Sequence, residues 1–158
     1  MKKVAIIGSG SWGAALGIYL ANNGNEVRLW SFNEEEKRSI NENRKCVFLP
    51  KAVVPEGVIC STDFKEVLDG AEIILHVTPS KFVRSTLQVY KDYVKPEQPI
   101  IMCSKGFEPV TEKTFDVVIE EEVEVEEVSK FPVILEETPT FGLFGFLNKL
   151  LSIFTFRG

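Results

Sequence analysis

A doubly wound α/β fold with a mostly parallel sheet is what this sequence predicts, and three observations predict it. Short apolar runs alternate along the chain with segments of helical periodicity, the pattern of strands joined by crossover helices. The first apolar run, Val4-Ala5-Ile6-Ile7, passes directly into Gly8-Ser9-Gly10-Ser11-Trp12-Gly13 and then into apolar residues at helical spacing, Trp12, Ala15, Leu16, Tyr19 and Leu20. The length of 158 residues, with 44% hydrophobic and 26% charged residues, suits a single domain with a substantial core.

The glycine stretch gives the fold its subclass. A G-x-G-x-x-G pattern between a strand and a helix marks a Rossmann-type dinucleotide site. Gly8 makes the tight turn, Gly10 leaves the backbone open to a pyrophosphate, and Gly13 lets the helix pack close to the strand. The N-terminal N–H groups and dipole of the helix then face the phosphates. The plainer alternative is a glycine-rich turn that only packs tightly in a parallel α/β sheet.

The remaining elements follow in order. Asn22-Asn23-Gly24-Asn25 stops the first helix. Glu26-Val27-Arg28-Leu29-Trp30 alternates as a second strand and ends at Ser31-Phe32-Asn33, where an acidic residue would hold a ribose diol in an NAD site. No acid stands there. Ser31 or Asn33 offers one hydrogen bond, Phe32 offers a face for adenine, and no arginine follows directly to grip a 2′-phosphate, so NAD and NADP both stay open. Residues 34–43 read as a short polar helix and 44–55 as a loop holding Pro50 and Pro55. A third strand covers 57–61, and Thr62 or Asp63 caps a short helix carrying Phe64, Val67 and Leu68.

Residues 71–77 form a fourth strand, apolar enough to be covered on both faces. Ser80, after Thr78-Pro79, caps a helix with Val83, Leu87, Tyr90 and Val94 on one face. A fifth strand, 100–103, ends at Ser104-Lys105-Gly106; Thr111 starts a helix bearing Phe115, Val118 and Ile119; a sixth strand covers 131–135. The glycine turn and segments 31–33, 78–80 and 104–106 all fall at carboxyl ends of strands, where ligands bind in such sheets.

Bulk properties exclude several function classes. A net charge of −5 argues against a general nucleic-acid binder. Cys46, Cys60 and Cys103 are far apart and odd in number, with no C-x-x-C, so neither a disulfide framework nor a metal site is expected. Met1-Lys2-Lys3 leads into a strand rather than a signal peptide, which points to a cytoplasmic, thiol-reducing compartment. His76, the single histidine, reads as a core or strand-end residue, and the cysteines as core or loop residues. The acidic stretch 120–127 reads as a fraying, solvated helix end and loop.

With these residues in view, residues 1–119 resemble the N-terminal domain of NAD(P)-dependent glycerol-3-phosphate dehydrogenase. The resemblance rests on the opening Lys3 to Gly13 with its Gly-Ser-Trp-Gly ending, and on Asn23-Gly24-Asn25-Glu26-Val27-Arg28-Leu29-Trp30. Ile40-Asn41-Glu42-Asn43, Phe48-Leu49-Pro50, Val77-Thr78-Pro79-Ser80 and Ser104-Lys105-Gly106 continue it. It implies hydride transfer between NADH or NADPH and dihydroxyacetone phosphate, giving glycerol 3-phosphate for phospholipid synthesis. It also implies roles: Gly8, Ser9, Gly10, Ser11, Trp12 and Gly13 as the pyrophosphate loop, Phe32 near the adenosine, Pro79 and Phe82 beside the cofactor, and Lys105 as the catalytic lysine. From the residues alone, a lysine beside a glycine reads as an exposed surface group.

The resemblance has departures. Where the family has a Ser-Gly-Pro-(Ser/Thr)-Phe-Ala-like turn after its sixth strand, this chain has Leu135-Glu136-Glu137-Thr138-Pro139-Thr140-Phe141-Gly142. The family's helical domain, with its second catalytic lysine and most substrate-phosphate ligands, has no counterpart here, so the chain is expected to be truncated and to supply only the cofactor half. The apolar tail, 143–158, is too short and interrupted for a membrane span. It reads as a helix and last strand, a homodimer contact, a membrane-surface segment, or out-of-frame sequence. The alternative to the enzyme reading is an inactive truncated Rossmann domain that binds nucleotide or self-associates.

Overall fold

A computed structural model describes residues 1–96 and 98–123. Strand β1 (Lys3–Ile7) leads into helix α1 (Ser11–Asn22), then β2 (Glu26–Trp30) and α2 (Glu34–Asn43). A hairpin, β3 (Lys45–Cys46) and β4 (Leu49–Val53), precedes β5 (Val58–Ser61) and α3 (Phe64–Leu68). Strand β6 (Ile73–His76) is followed by α4 (Val83–Tyr90), β7 (Ile100–Met102) and α5 (Phe115–Glu122), with short 3-10 turns at Ser80–Phe82 and Lys91–Tyr93.

The main sheet has five parallel strands in the order β5-β2-β1-β6-β7. The order runs outward from β1 in both directions, so the chain reverses its winding beside β1, and that is where such a sheet opens a crevice. The five sheet strands are those expected from the sequence; the expected sixth strand, 131–135, and the tail lie outside the described residues.

Each face of the sheet is buried under helices, which explains the near-continuous apolar strands. Val4 and Ile6 of β1 point to one face and join Leu16, Leu20, Val27, Leu29, Ile40 and Leu75. Ala5 and Ile7 point to the other and join Val67, Ile74, Val83, Leu87, Tyr90 and Phe115. A two-residue period over an all-apolar strand therefore feeds two separate cores. On the second face Trp30 stacks on Phe64 at 4.3 Å between ring centroids, and its indole N–H donates to the Thr62 carbonyl at 3.1 Å.

Four local expectations are corrected. Residues 44–55 are not a loop: Cys46 pairs with Leu49 across a two-residue turn of Val47 and Phe48. That turn lacks the Asn-Gly or Asp-Gly signal of a tight hairpin, and Pro50 is tolerated because the ribbon has only two strands. Ser80 does not cap α4 with its side chain; it opens a 3-10 turn after Pro79. Thr111 does not start α5; Thr114 takes that place, and the Thr111 hydroxyl donates to Glu108 instead. The stretch from 120 is not wholly solvated, because Glu121 and Glu122 pair with Arg84, and the Glu122 side chain is 11% exposed. Asp63, rather than Thr62, caps α3, its carboxylate accepting from the Lys65 N–H at 2.8 Å.

Candidate functional site: the carboxyl edge of the sheet

Register places the site. Ile7 stands opposite Trp30 on one side and His76 on the other, His76 stands opposite Met102, and Trp30 stands opposite Ser61. The strands end level, so the turns that follow them share one edge. The Gly8–Gly13 stretch, Ser31 to Asn33, Thr78 to Ser80 and Ser104 to Gly106 are all carried there.

The glycine stretch is shaped by two close approaches. Gly8 has φ of +123°, and a Cβ on it would meet the Val77 carbonyl oxygen at 2.8 Å. A Cβ on Gly13 would lie 1.9 Å from the Gly8 carbonyl oxygen, so the helix packs against the turn in a way only glycine permits. Gly10 is different: a Cβ there has no heavy atom within 4 Å. Its freedom leaves space rather than relieving a clash. Gly10 also precedes α1 as its N-cap, without a side-chain hydrogen bond, and no acidic residue occupies the first turn. An uncapped helix start beneath open space is suited to an anion. These features fit the pyrophosphate of a dinucleotide.

Ser9 is buried and Ser11 exposed. Trp12 is half-buried and packs against the core beside α1. Phe32, just beyond β2, is 81% exposed and offers an open aromatic face, and Phe82 is 48% exposed. Lys81 Nζ sits 4.7 Å from the Phe82 ring centroid. Pro79 is exposed between the buried Thr78 and the 3-10 turn. Lys105 is exposed just beyond β7, next to Gly106 with φ of +94°. The Ser104 hydroxyl donates to the Thr78 carbonyl at 2.5 Å, tying the lysine's turn to that of Pro79.

Three supports hold this edge, and of these the sequence singled out only His76. Glu36, from the first turn of α2, accepts hydrogen bonds from both the Ser9 and Ser31 hydroxyls and is 6% exposed. Asn33 therefore is not left for a ligand: its side chain caps α2 by accepting from the Glu35 and Glu36 N–H groups at 2.8 and 3.3 Å. Glu36 belonged to a segment that reads as a polar helix, and only the chain reversal after β2 brings it to the glycine turn.

The second support lies under Thr78. His76 is fully buried, with Nδ1 2.8 Å from the Tyr90 hydroxyl and Nε2 2.6 Å from the Thr78 hydroxyl. Burial lowers its pKa to about 3, so the ring is neutral at pH 7, and the same burial pushes the Tyr90 hydroxyl up. The strand-end role expected for His76 is what it plays.

The third support anchors the turn carrying Lys105. Arg84 of α4 meets Glu108 with two bonds, Nε–Oε1 at 2.6 Å and Nη2–Oε2 at 2.8 Å. It also meets Glu122 at 2.6 Å and Glu121 at 2.8 Å. The Arg84 guanidinium and the Thr111 hydroxyl hold the Glu108 carboxyl down at about 2. Among the described residues, no three His, Cys, Asp or Glu side chains gather as a metal site requires, and no helix is long and apolar enough to cross a membrane.

Comparison with known proteins gives the family. The family model for the N-terminus of NAD-dependent glycerol-3-phosphate dehydrogenase matches residues 3–135, beyond Ile119 where the resemblance was expected to end. The glycerol-3-phosphate dehydrogenase [NAD(P)+] of Fusobacterium nucleatum is 39% identical over 124 residues, which is 78% of this chain and 37% of that protein. That of Shouchella clausii is 36% identical over 136 residues, 85% of this chain and 40% of that protein. The crystal structure of glycerol-3-phosphate dehydrogenase from Coxiella burnetii superposes with a TM-score of 0.73 at 29% identity, covering 77% of this chain and 38% of that one. The chain thus spans about two fifths of the length of these relatives. The matched range, the parallel sheet and the glycine turn together establish that this chain belongs to the family of NAD-dependent glycerol-3-phosphate dehydrogenase N-terminal domains.

Proposed function

We propose that this chain is the cofactor-binding part of a glycerol-3-phosphate dehydrogenase. It holds NAD(H) or NADP(H) at the glycine turn and takes part in the interconversion of dihydroxyacetone phosphate and glycerol 3-phosphate. The observation that carries the reading is the open space above Gly10 at the uncapped start of α1, beside the Gly8–Gly13 contact that only glycines allow. Gly8 to Gly13 would hold the pyrophosphate, Phe32 would lie near the adenosine, and Pro79 and Phe82 would line the nicotinamide side. A bound nicotinamide supplies or accepts the hydride.

Lys105 is the chain's own catalytic group on this reading. Its ammonium donates to the substrate oxygen as negative charge develops there, or pairs with the substrate phosphate as a point charge. Its exposure leaves it free to reach a substrate, and the Ser104–Thr78 bond sets where its turn stands. Hydride transfer needs cofactor and substrate held together. The relatives are more than twice as long as the matched region, so the remaining substrate ligands are assigned to the part of them that this chain does not match. These residues are read as the cofactor module, with the cytoplasm as its compartment, and self-association is to be read from its size against concentration.

Titration of the chain with NADH and NADPH by fluorescence tests the reading. Gly10→Ala, with open space around the new methyl group, leaves the fold intact. Gly10→Asp places a carboxylate where the pyrophosphate would lie and weakens binding by at least about a hundredfold, some 2.7 kcal/mol. A folded wild-type chain that binds neither nucleotide sinks the proposal. Dihydroxyacetone phosphate turnover by the chain alone would show that it is more than the cofactor half.

A further inference from the structure

The cofactor's identity was left open because no acid directly follows β2. The fold supplies one from further along. Asn33 caps α2 immediately after β2, so the first turn of the helix folds back over the strand end. That places the Glu36 carboxylate between two segments: Oε2 accepts from Ser9 of the glycine turn and from Ser31 at the end of β2. Oε1 accepts no hydrogen bond among the described residues. The hairpin closes over the same place, with Cys46 Sγ 4.0 Å from the Ser9 carbonyl oxygen.

In a doubly wound sheet the adenosine ribose lies between the glycine turn and the end of the second strand, and a carboxylate there accepts from the 2′-hydroxyl. Glu36 touches one residue from each of those segments. A carboxylate favours a hydroxyl at that point and repels a phosphate carrying about two negative charges. Three basic side chains of the neighbouring segments are engaged elsewhere: Lys37 pairs with Glu34 at 3.3 Å, Arg28 with Glu26 at 2.7 Å, and Arg44 donates to the Val58 carbonyl at 3.1 Å; Arg38 is exposed on α2. Resting on the cofactor reading above, we propose that Glu36 is the specificity-determining residue of this site and favours NAD(H) over NADP(H).

The test is the ratio of NADPH to NADH dissociation constants, measured by fluorescence titration on the wild-type chain and on Glu36→Gln, with circular dichroism to follow the fold. The wild-type chain binds NADH at least about tenfold more tightly. In E36Q the ratio falls to within about threefold, chiefly through tighter NADPH binding, because the repelling charge is gone and the shape is kept. A ratio unchanged in folded E36Q overturns the assignment while leaving the cofactor reading intact. A wild-type preference for NADPH also overturns it, with or without a folded variant, and moves attention to Arg38, exposed on α2. Binding of neither nucleotide overturns the cofactor reading and this inference together. Glu36→Met is the second neutral replacement should E36Q fail to fold, with the same ratio as its readout.

Discussion

A methyl group on Gly13 would stand 1.9 Å from the Gly8 carbonyl oxygen, whereas one on Gly10 would touch nothing, and this contrast separates a glycine required for packing from one that leaves open space. Gly13→Ala is expected to cost about 3 kcal/mol or more in urea unfolding, because backbone rather than a pliable side chain must move. Gly10→Ala is expected to leave the unfolding midpoint within about 0.5 kcal/mol. His76 gives a second residue-scale prediction. Its folded pKa of about 3 lies below the ordinary 6.5, so the unfolded chain binds a proton first as pH falls. Its contribution to stability is present above pH 6.5 and is lost progressively between 6.5 and 3, with a slope of up to about 1.4 kcal/mol per pH unit. Urea midpoints at pH 7 and pH 5 should show the loss, and His76→Gln should flatten it. The glycines were legible because their chemistry is local. Glu36 was not, because its partners Ser9 and Ser31 are 27 and 5 residues away and meet it only after the chain turns back.

At the scale of elements, α4 does more than cover the sheet. Its Arg84 grips Glu108 on the turn after β7 and Glu121 and Glu122 at the end of α5. Carboxylates at a helix C-terminus oppose the dipole, and the guanidinium offsets that here. Arg84→Met is expected to cost about 2 kcal/mol, the scale of hydrogen bonds to charged groups, since it leaves the buried Glu108 carboxylate without its fork. Amide exchange in residues 105–113 should then rise more than exchange in β1 and β6. In the wild type this contribution is present above the ordinary carboxyl pKa and fades as pH falls from about 4.5 to about 2. Strands and helices were legible from periodicity, and the hairpin was not, since Val47 and Phe48 carry no turn chemistry. The acidic end of α5 read as solvated because its partner Arg84 lies more than thirty residues upstream.

Over the whole molecule, the three thiols report on cooperativity. Cys46, Cys60 and Cys103 are 1%, 1% and 9% exposed, and burial pushes the Cys60 thiol up to about 12. At pH 8 a thiol reagent should therefore label the native chain at least about a hundredfold more slowly than the urea-unfolded chain, with Cys60 the slowest. Labelling of Cys60 at the native rate of an exposed thiol would show that β5 opens without the rest of the sheet. Fold class was legible at this scale because alternating strands and helices admit few topologies. The spatial order of the strands was not, since no local pattern says that β1 will lie between β2 and β6.

That central position has a temporal meaning. β1 pairs with β2 some 23 residues later in the sequence, but with β6 only some 70 residues later, and the Val77 carbonyl that bounds Gly8 follows β6 directly. As the chain emerges from a ribosome, the glycine turn comes out before β2 and β6, and it has both of its walls only once β6 and Val77 have joined the sheet. On the proposed reading, a nucleotide held at this turn therefore binds only after the two halves of the sheet have joined, and it acts on the finished sheet rather than on the early steps of folding.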